Sequence, residues 1–142
     1  EPVADIAVEY RPLTATAIGS DLALRAIDEL PLLAVAAAFA TGSTTIAGIA
    51  PLRSKESDRV AAIARLLDAV GIAMTAESKS LTITGGVPAP RGTVVQTYDD
   101  HRTVMAAAVL ACAAGPLTVD SDASLDVSFP GFSAALERLR SA

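Results

Sequence analysis

Apolar and polar positions change period several times along this chain, and each change marks an element. Ala4–Tyr10 (ADIAVEY) alternates with period two and predicts a strand; Thr14–Ile18 (TATAI) predicts a second, short one. Asp28–Ala40 (DELPLLAVAAAFA) is apolar nearly all round, which predicts a helix buried on every side. Pro31 fits only the first turn of such a helix, and Gly42 ends it. Thr44–Ile49 returns to a strand. Ser57–Val70 carries Val60, Ile63, Ala64, Leu67 and Val70 on one stripe, the spacing of an amphipathic helix stopped by Gly71. Ile72–Glu77 and Leu81–Thr84 predict a hairpin around Ser78-Lys79-Ser80, and residues 85–92, with Pro88 and Pro90, predict a loop. Thr93–Tyr98 predicts a strand, His101–Ala114 an almost wholly apolar helix ended by Gly115, Leu117–Ser121 a strand, and Gly131–Arg140 a closing amphipathic helix.

The order repeats. Asp28 and Gly42 are 14 residues apart, as are His101 and Gly115, and an offset of 73 superposes one pair on the other. The repeating unit reads β-α-β-α-β-β, an α+β arrangement. Unit 1 runs to about residue 85, preceded by the strand region 4–18, and unit 2 covers about 93–142. The second copy lacks its hairpin, and Ala4–Tyr10 has no unit of its own. The expectation is therefore a single domain that is a piece of a larger repetitive protein. The alternative is a small protein that dimerises through open strand edges.

The 142 residues suffice for one domain with a core, and 51% hydrophobic against 19% charged residues makes disorder improbable. A net charge of −5 argues against a general nucleic-acid binder, although local clusters decide the binding of small anions. The apolar runs are too short to span a bilayer. The one cysteine, Cys112, lies in an Ala-rich run and reads as a buried core thiol; no disulfide can form within the chain.

The chemistry-bearing residues collect at predicted helix starts: Asp28, Lys55-Glu56-Ser57-Asp58-Arg59 and Asp100-His101-Arg102. Unpaired N–H groups and the helix dipole favour anions there, and Lys55, Arg59 and Arg102 add full positive charges. Glu56, His101 and Asp28 are the acid–base candidates. Each has a plainer reading. Asp28 and Asp100 serve as N-caps, Glu56 and Arg59 form an i,i+3 surface pair, Lys55 is solvated, and His101 is structural. A metal site is not expected, since no second His or Cys has ligand spacing. The repeat places the three starts at equivalent positions, so they could line one face.

At these residues the chain resembles the 5-enolpyruvylshikimate-3-phosphate synthase family. Lys55-Glu56-Ser57-Asp58-Arg59 and Tyr98-Asp99-Asp100-His101-Arg102 are similar to its two signatures. Ile27-Asp28-Glu29-Leu30-Pro31 and Ser128-Phe129-Pro130-Gly131-Phe132 match in order and spacing. The sister UDP-N-acetylglucosamine enolpyruvyl transferase shares the fold but not the signature pair. The resemblance implies a two-domain fold of β-α-β-α-β-β units, inside-out and barrel-like, of which this chain is most of the C-terminal domain.

It also implies transfer of the enolpyruvyl group of phosphoenolpyruvate to the 5-hydroxyl of shikimate 3-phosphate. The reaction belongs to the shikimate route to chorismate and aromatic amino acids and is the target of glyphosate. The family is cytoplasmic, needs no metal or organic cofactor, and the full-length enzyme is expected to be a monomer. Neither nucleic acid nor membrane is an expected partner. By motif, Asp28 accepts the hydroxyl proton, Lys55 contacts shikimate 3-phosphate and Glu56 exchanges the methylene proton. Arg59 and Arg102 hold phosphoenolpyruvate with His101 beside them.

Two positions depart from one branch of the family: Val127 stands where that branch has a Lys, and Pro51 where it has an Asn. The family's shikimate-phosphate serines, and the Lys and Arg that complete the phosphoenolpyruvate site, lie in an N-terminal domain outside this chain. The 142 residues alone are therefore expected to show no turnover. A non-catalytic anion-binding or scaffold domain of the same fold is the alternative from a different class.

Overall fold

Two parallel strand pairs with the same register organise the structure. In the computed structural model, which describes residues 3–54 and 58–141, Ala17–Ile18 (β1) pairs parallel with Ser43–Ala47 (β2), placing Ala17 opposite Thr45 and Ile18 opposite Ile46. Val94–Val95 (β5) pairs parallel with Thr118–Val119 (β6), placing Val94 opposite Thr118 and Val95 opposite Val119. Thr45 and Ile46 lie 73 residues before Thr118 and Val119, so the offset read from the sequence holds in the strand register.

Each pair is bridged by an apolar helix, Leu30–Ala38 (α2) in the first and His101–Ala114 (α4) in the second. The offset continues beyond β2. A 3₁₀ turn at Ala50–Ser54 corresponds, within one residue, to the short helix Ser124–Ser128 (α5). Arg59–Asp68 (α3) begins 73 residues before Phe132–Arg140 (α6). Leu52 and Leu125, again 73 apart, are both buried, because each short turn folds one leucine under the helix that precedes it.

In the first unit, β2 is continued on its other edge by the antiparallel hairpin of Ala73–Ala76 (β3) and Ser80–Thr84 (β4), giving a sheet of order β1-β2-β4-β3. Leu81 and Ile83 turn inward on β4 while their neighbours face out. In the second unit β6 pairs only with β5 among the described residues. Helices α2, α3 and α4 touch one another pairwise, and α2 also lies on β4. One continuous core results, including Leu30, Val35, Ile46, Ile63, Leu66, Ile83, Val95 and Leu110.

Local chemistry explains most boundaries. Asp58 caps α3 by accepting the Ala61 N–H at 3.1 Å. Val60, Ile63, Leu67 and Val70 of the expected stripe are buried, and Gly71 leaves the helix at φ +77°. Pro31 occupies the first turn of α2. Gly85 lies so close to the last carbonyls of α2 that an added Cβ would overlap the oxygen of Ala40.

Several expectations differ from the structure. Ala4–Tyr10 is extended, exposed, and paired with no strand among the described residues, because alternation alone provides no neighbour to bond. Ser20–Arg25 forms an unexpected helix (α1) between β1 and α2. The strands expected over Thr93–Tyr98 and Leu117–Ser121 are paired only at two residues each. Helix α2 starts at Leu30 instead of Asp28, and Leu32 remains 45% exposed, so that helix is not buried on every side. Cys112 is an exposed residue of α4 whose thiol reaches the Ala108 carbonyl at 3.3 Å, because it falls on the face of α4 turned from the core.

Candidate anion site at three helix starts

The mutual packing of α2, α3 and α4 brings their N-terminal ends together, and Arg59 is the hub. As the first residue of α3 it is 1% exposed, and it is the largest fully buried side chain in the chain. Its Nε donates to Asp100 Oδ2 at 2.8 Å, and its Nη1 donates to Asp28 Oδ1 at 2.7 Å. A buried guanidinium is tolerated only when its charge and donors are matched in this way. The i,i+3 surface reading of Arg59 is thereby excluded, since its described carboxylate partners come from the starts of two other helices.

Asp28 does not cap α2. Glu29 occupies the N-cap position and makes no side-chain cap bond. The Asp28 carboxylate instead lies between two guanidiniums, with Arg102 Nη2 at 3.4 Å from its second oxygen. Arg102 Nη1 also donates to the Asp28 carbonyl at 3.2 Å and lies 3.5 Å from Glu29. Asp28 is 41% exposed and Arg102 30%, so this edge of the cluster meets solvent while Arg59 and Asp100 do not.

Asp100 combines both expected roles. One oxygen caps α4 by accepting the Arg102 N–H at 2.9 Å; the other holds Arg59. Its 3% exposure leaves it no solvent to substitute for either partner. His101 opens α4, half-buried, beside Asp100. Lys55 and Glu56, the remaining expected site residues, lie outside the described residues. Among the described residues no group of three or more His, Cys, Asp or Glu side chains is placed to hold a metal ion, and no helix is long and apolar enough to cross a membrane.

The turn entering α4 is unusual. Tyr98 and Asp99 both have φ +55°, the left-handed region, which costs a non-glycine residue on the order of 1–3 kcal/mol. Asp tolerates that region; Tyr does so rarely. Hydrogen bonds hold the turn from both sides. The Asp100 N–H donates to the Thr97 carbonyl at 3.1 Å. The Thr97 N–H and hydroxyl donate to one oxygen of Asp120 at 2.8 and 2.7 Å. The Asp120 carboxyl is held below its ordinary value of 3.8, first by the Thr97 hydroxyl and next by the Thr97 N–H. The Arg65 guanidinium lies 5.1 Å from the centre of the Tyr98 ring. Neither Thr97 nor Asp120 was singled out in the sequence, where nothing in their spacing relates them.

An adjoining cleft of about 140 Å³ runs from Asp28 and Arg102 along Leu32, Met105 and Val109 to Phe132. Phe132 is the repeat counterpart of Arg59. The same position thus carries a buried charge in one unit and a ring on a cleft wall in the other.

The family model for EPSP synthase (3-phosphoshikimate 1-carboxyvinyltransferase) matches residues 1–136. The chain belongs to the EPSP synthase family. It is 45% identical over 141 residues to a 3-phosphoshikimate 1-carboxyvinyltransferase from Granulibacter bethesdensis, covering 98% of this chain and 31% of the relative. An enzyme of that name from Methylobacterium sp. is 46% identical over 144 residues, covering 100% of this chain and 32% of the relative. Among solved structures, an EPSP synthase from Acinetobacter baumannii superposes with a TM-score of 0.82 at 32% identity, covering 89% of this chain and 30% of that one. The α+β fold expected from the repeat is the fold of these enzymes. This chain spans about a third of the length of the curated relatives it matches.

Proposed function

We propose that this chain supplies one wall of the active site of a 3-phosphoshikimate 1-carboxyvinyltransferase, which moves the enolpyruvyl group of phosphoenolpyruvate to the 5-hydroxyl of shikimate 3-phosphate. The observation that carries the reading is the convergence of Arg59 and Arg102 on Asp28 at one edge of three packed helices. Family membership supplies the reaction class.

In this reading Arg59 and Arg102 hold the anionic groups of phosphoenolpyruvate, with His101 alongside. Arg59 is pre-oriented, because two carboxylates fix its plane before any ligand arrives. Asp28 presents a partly exposed carboxylate at the same edge and takes the proton of the attacking hydroxyl as oxygen adds to C2. Lys55 contacts the shikimate hydroxyls. Glu56 gives a proton to the methylene carbon, forming the methyl group of a tetrahedral intermediate. It takes a proton back as the carbon–oxygen bond to phosphate breaks. Phosphate leaves, and the double bond re-forms on the transferred group. Two carboxylates in different surroundings suit a reaction that must deprotonate one partner while protonating the other.

The 142 residues alone are proposed to lack turnover, since the relatives are about three times longer. Phosphate release from both substrates by the isolated chain would contradict this. The main test uses protein expressed from the complete reading frame. Glu56→Ala should lower kcat by about 10²–10⁴-fold while shikimate 3-phosphate binding changes little. Unchanged turnover removes Glu56 from the mechanism.

A further inference from the structure

We infer that Asp120 is a positioning residue for the phosphoenolpyruvate clamp, acting through Thr97 and the left-handed turn Tyr98-Asp99 to set the carboxylate of Asp100 and hence the guanidinium of Arg59. This rests on the reading above for the ligand of Arg59, and on geometry alone for the link between Asp120 and Arg59.

The link is continuous. Asp120 follows β6 and is tied to its neighbouring strand, since its N–H donates to the Val95 carbonyl at 3.1 Å. One of its carboxylate oxygens accepts three donors: the Thr97 N–H, the Thr97 hydroxyl and the Ser121 N–H at 3.0 Å. Thr97 is fully buried and shares its hydroxyl with the Ser121 carbonyl at 3.2 Å, so it has no slack. Its carbonyl receives the Asp100 N–H, closing a four-residue turn around the two left-handed residues. Beyond that turn Asp100 holds both the start of α4 and Arg59.

The repeat argues that this device is not required by the fold. The position 73 residues before Asp120 is Ala47, in the same place at the end of β2, where β2 pairs with β1 in the same register without any carboxylate. The unit that has the anchor is the one whose strand-to-helix turn carries Asp100. A turn with Tyr in the left-handed region relaxes unless its surroundings over-determine it, and Asp120 supplies that constraint at the strand end.

The test uses protein from the complete reading frame and three variants. Asp120→Ala removes the acceptor; Asp120→Asn keeps an acceptor oxygen in the same place; Thr97→Val removes the hydroxyl and keeps the backbone donor. The first readout needs no activity: hydrogen exchange at the Arg59 Nε–H, assigned by its loss in Arg59→Lys. Exchange should quicken about tenfold in Asp120→Ala and Thr97→Val and stay near wild type in Asp120→Asn. The second readout is kinetic. KM for phosphoenolpyruvate should rise about five- to tenfold in the first two variants, with KM for shikimate 3-phosphate and kcat within about twofold, and Asp120→Asn should largely restore it.

Unchanged Arg59 exchange in Asp120→Ala overturns the inference. So does an equal rise in both KM values, which marks a structural role only. If Asp120→Ala does not fold, Thr97→Val decides by the same criteria. A wild-type protein without turnover removes the functional reading, and Arg59 exchange alone then decides whether Asp120 sets the guanidinium.

Discussion

Arg59 and Asp100 are separated by 41 residues, yet they meet at 2.8 Å with both side chains 1% exposed. Neither has solvent to fall back on. Asp100→Ala should therefore destabilise the protein by about 3–5 kcal/mol, because it strands a buried guanidinium and uncaps α4. Urea denaturation measures this. Replacing both partners at once, Arg59→Met with Asp100→Leu, should recover much of the loss while leaving phosphoenolpyruvate binding abolished. That result would separate the contribution of the pair to stability from its contribution to binding.

Arg102 offers the opposite balance. It is 30% exposed, and its partners stand at 3.2–3.5 Å. Arg102→Ala should cost about 1 kcal/mol or less in stability, as for exposed pairs. The same change should raise KM for phosphoenolpyruvate by at least about tenfold, because a charged hydrogen bond to the ligand is lost. A large fall in denaturation midpoint with unchanged KM would assign Arg102 to the fold.

Acid should weaken the turn before α4. The folded carboxyl of Asp120 lies below its ordinary value of 3.8, held there first by the Thr97 hydroxyl. The stability it contributes is therefore complete above the unfolded value and is lost as pH falls through the folded one. Denaturation midpoints taken from pH 6 downward should fall less steeply below about pH 4 in Asp120→Asn than in wild type. Parallel acid limbs would remove this contribution.

A buried hydroxyl provides a test with the opposite sign. Thr103 lies in the first turn of α4, 1% exposed, and its hydroxyl has no hydrogen-bond partner among the described residues. Thr103→Val removes that unmet group at little change in shape. The midpoint should rise, by up to about 1 kcal/mol in stability. A loss of stability would mean that the hydroxyl has a partner in solution.

Gly85 is restricted by space. A methyl group there would meet the Ala40 carbonyl oxygen at the end of α2, and a backbone atom cannot swing aside. Gly85→Ala should cost about 1–3 kcal/mol by displacing α2 from β4. Equal midpoints for the two proteins would show that this contact relaxes freely.

The long helices were legible because their signals are local. The stripe of α3, the Asp100 cap and the glycines at 42, 71 and 115 need no knowledge of distant residues. The equivalence of the helix starts was legible too, from the 73-residue offset. Short elements were not. Ser20–Arg25 and Ser124–Ser128 are too brief to carry a period, and Leu125 is seen as a core residue only once it is matched to Leu52. Ala4–Tyr10 shows the converse, a strong alternation without a strand to pair it. At the site, residue types pointed to an anion, but the bonds of Arg59 to Asp28 and Asp100 depend on how three helices pack. Thr97 and Asp120 gave no sign at all, being an ordinary threonine and a strand-end aspartate 23 residues apart.

The two units differ in chain length where the site is built. The offset is 73 through the helices and the later strands, but 77 between β1 and β5. The second unit therefore joins strand to helix over a shorter path, and the extra helix of the first unit, Ser20–Arg25, has no room to form. A taut connector of this kind tolerates no insertion. Adding even one glycine between Val95 and Asp100 would give the turn a way to unwind and would free Asp100 from its appointed angle. The connector in the first unit carries surplus length and has no such duty. Spare length in the chain is thus distributed unevenly, and sites for peptide tags or loop grafts are better chosen between β1 and α2 than between β5 and α4.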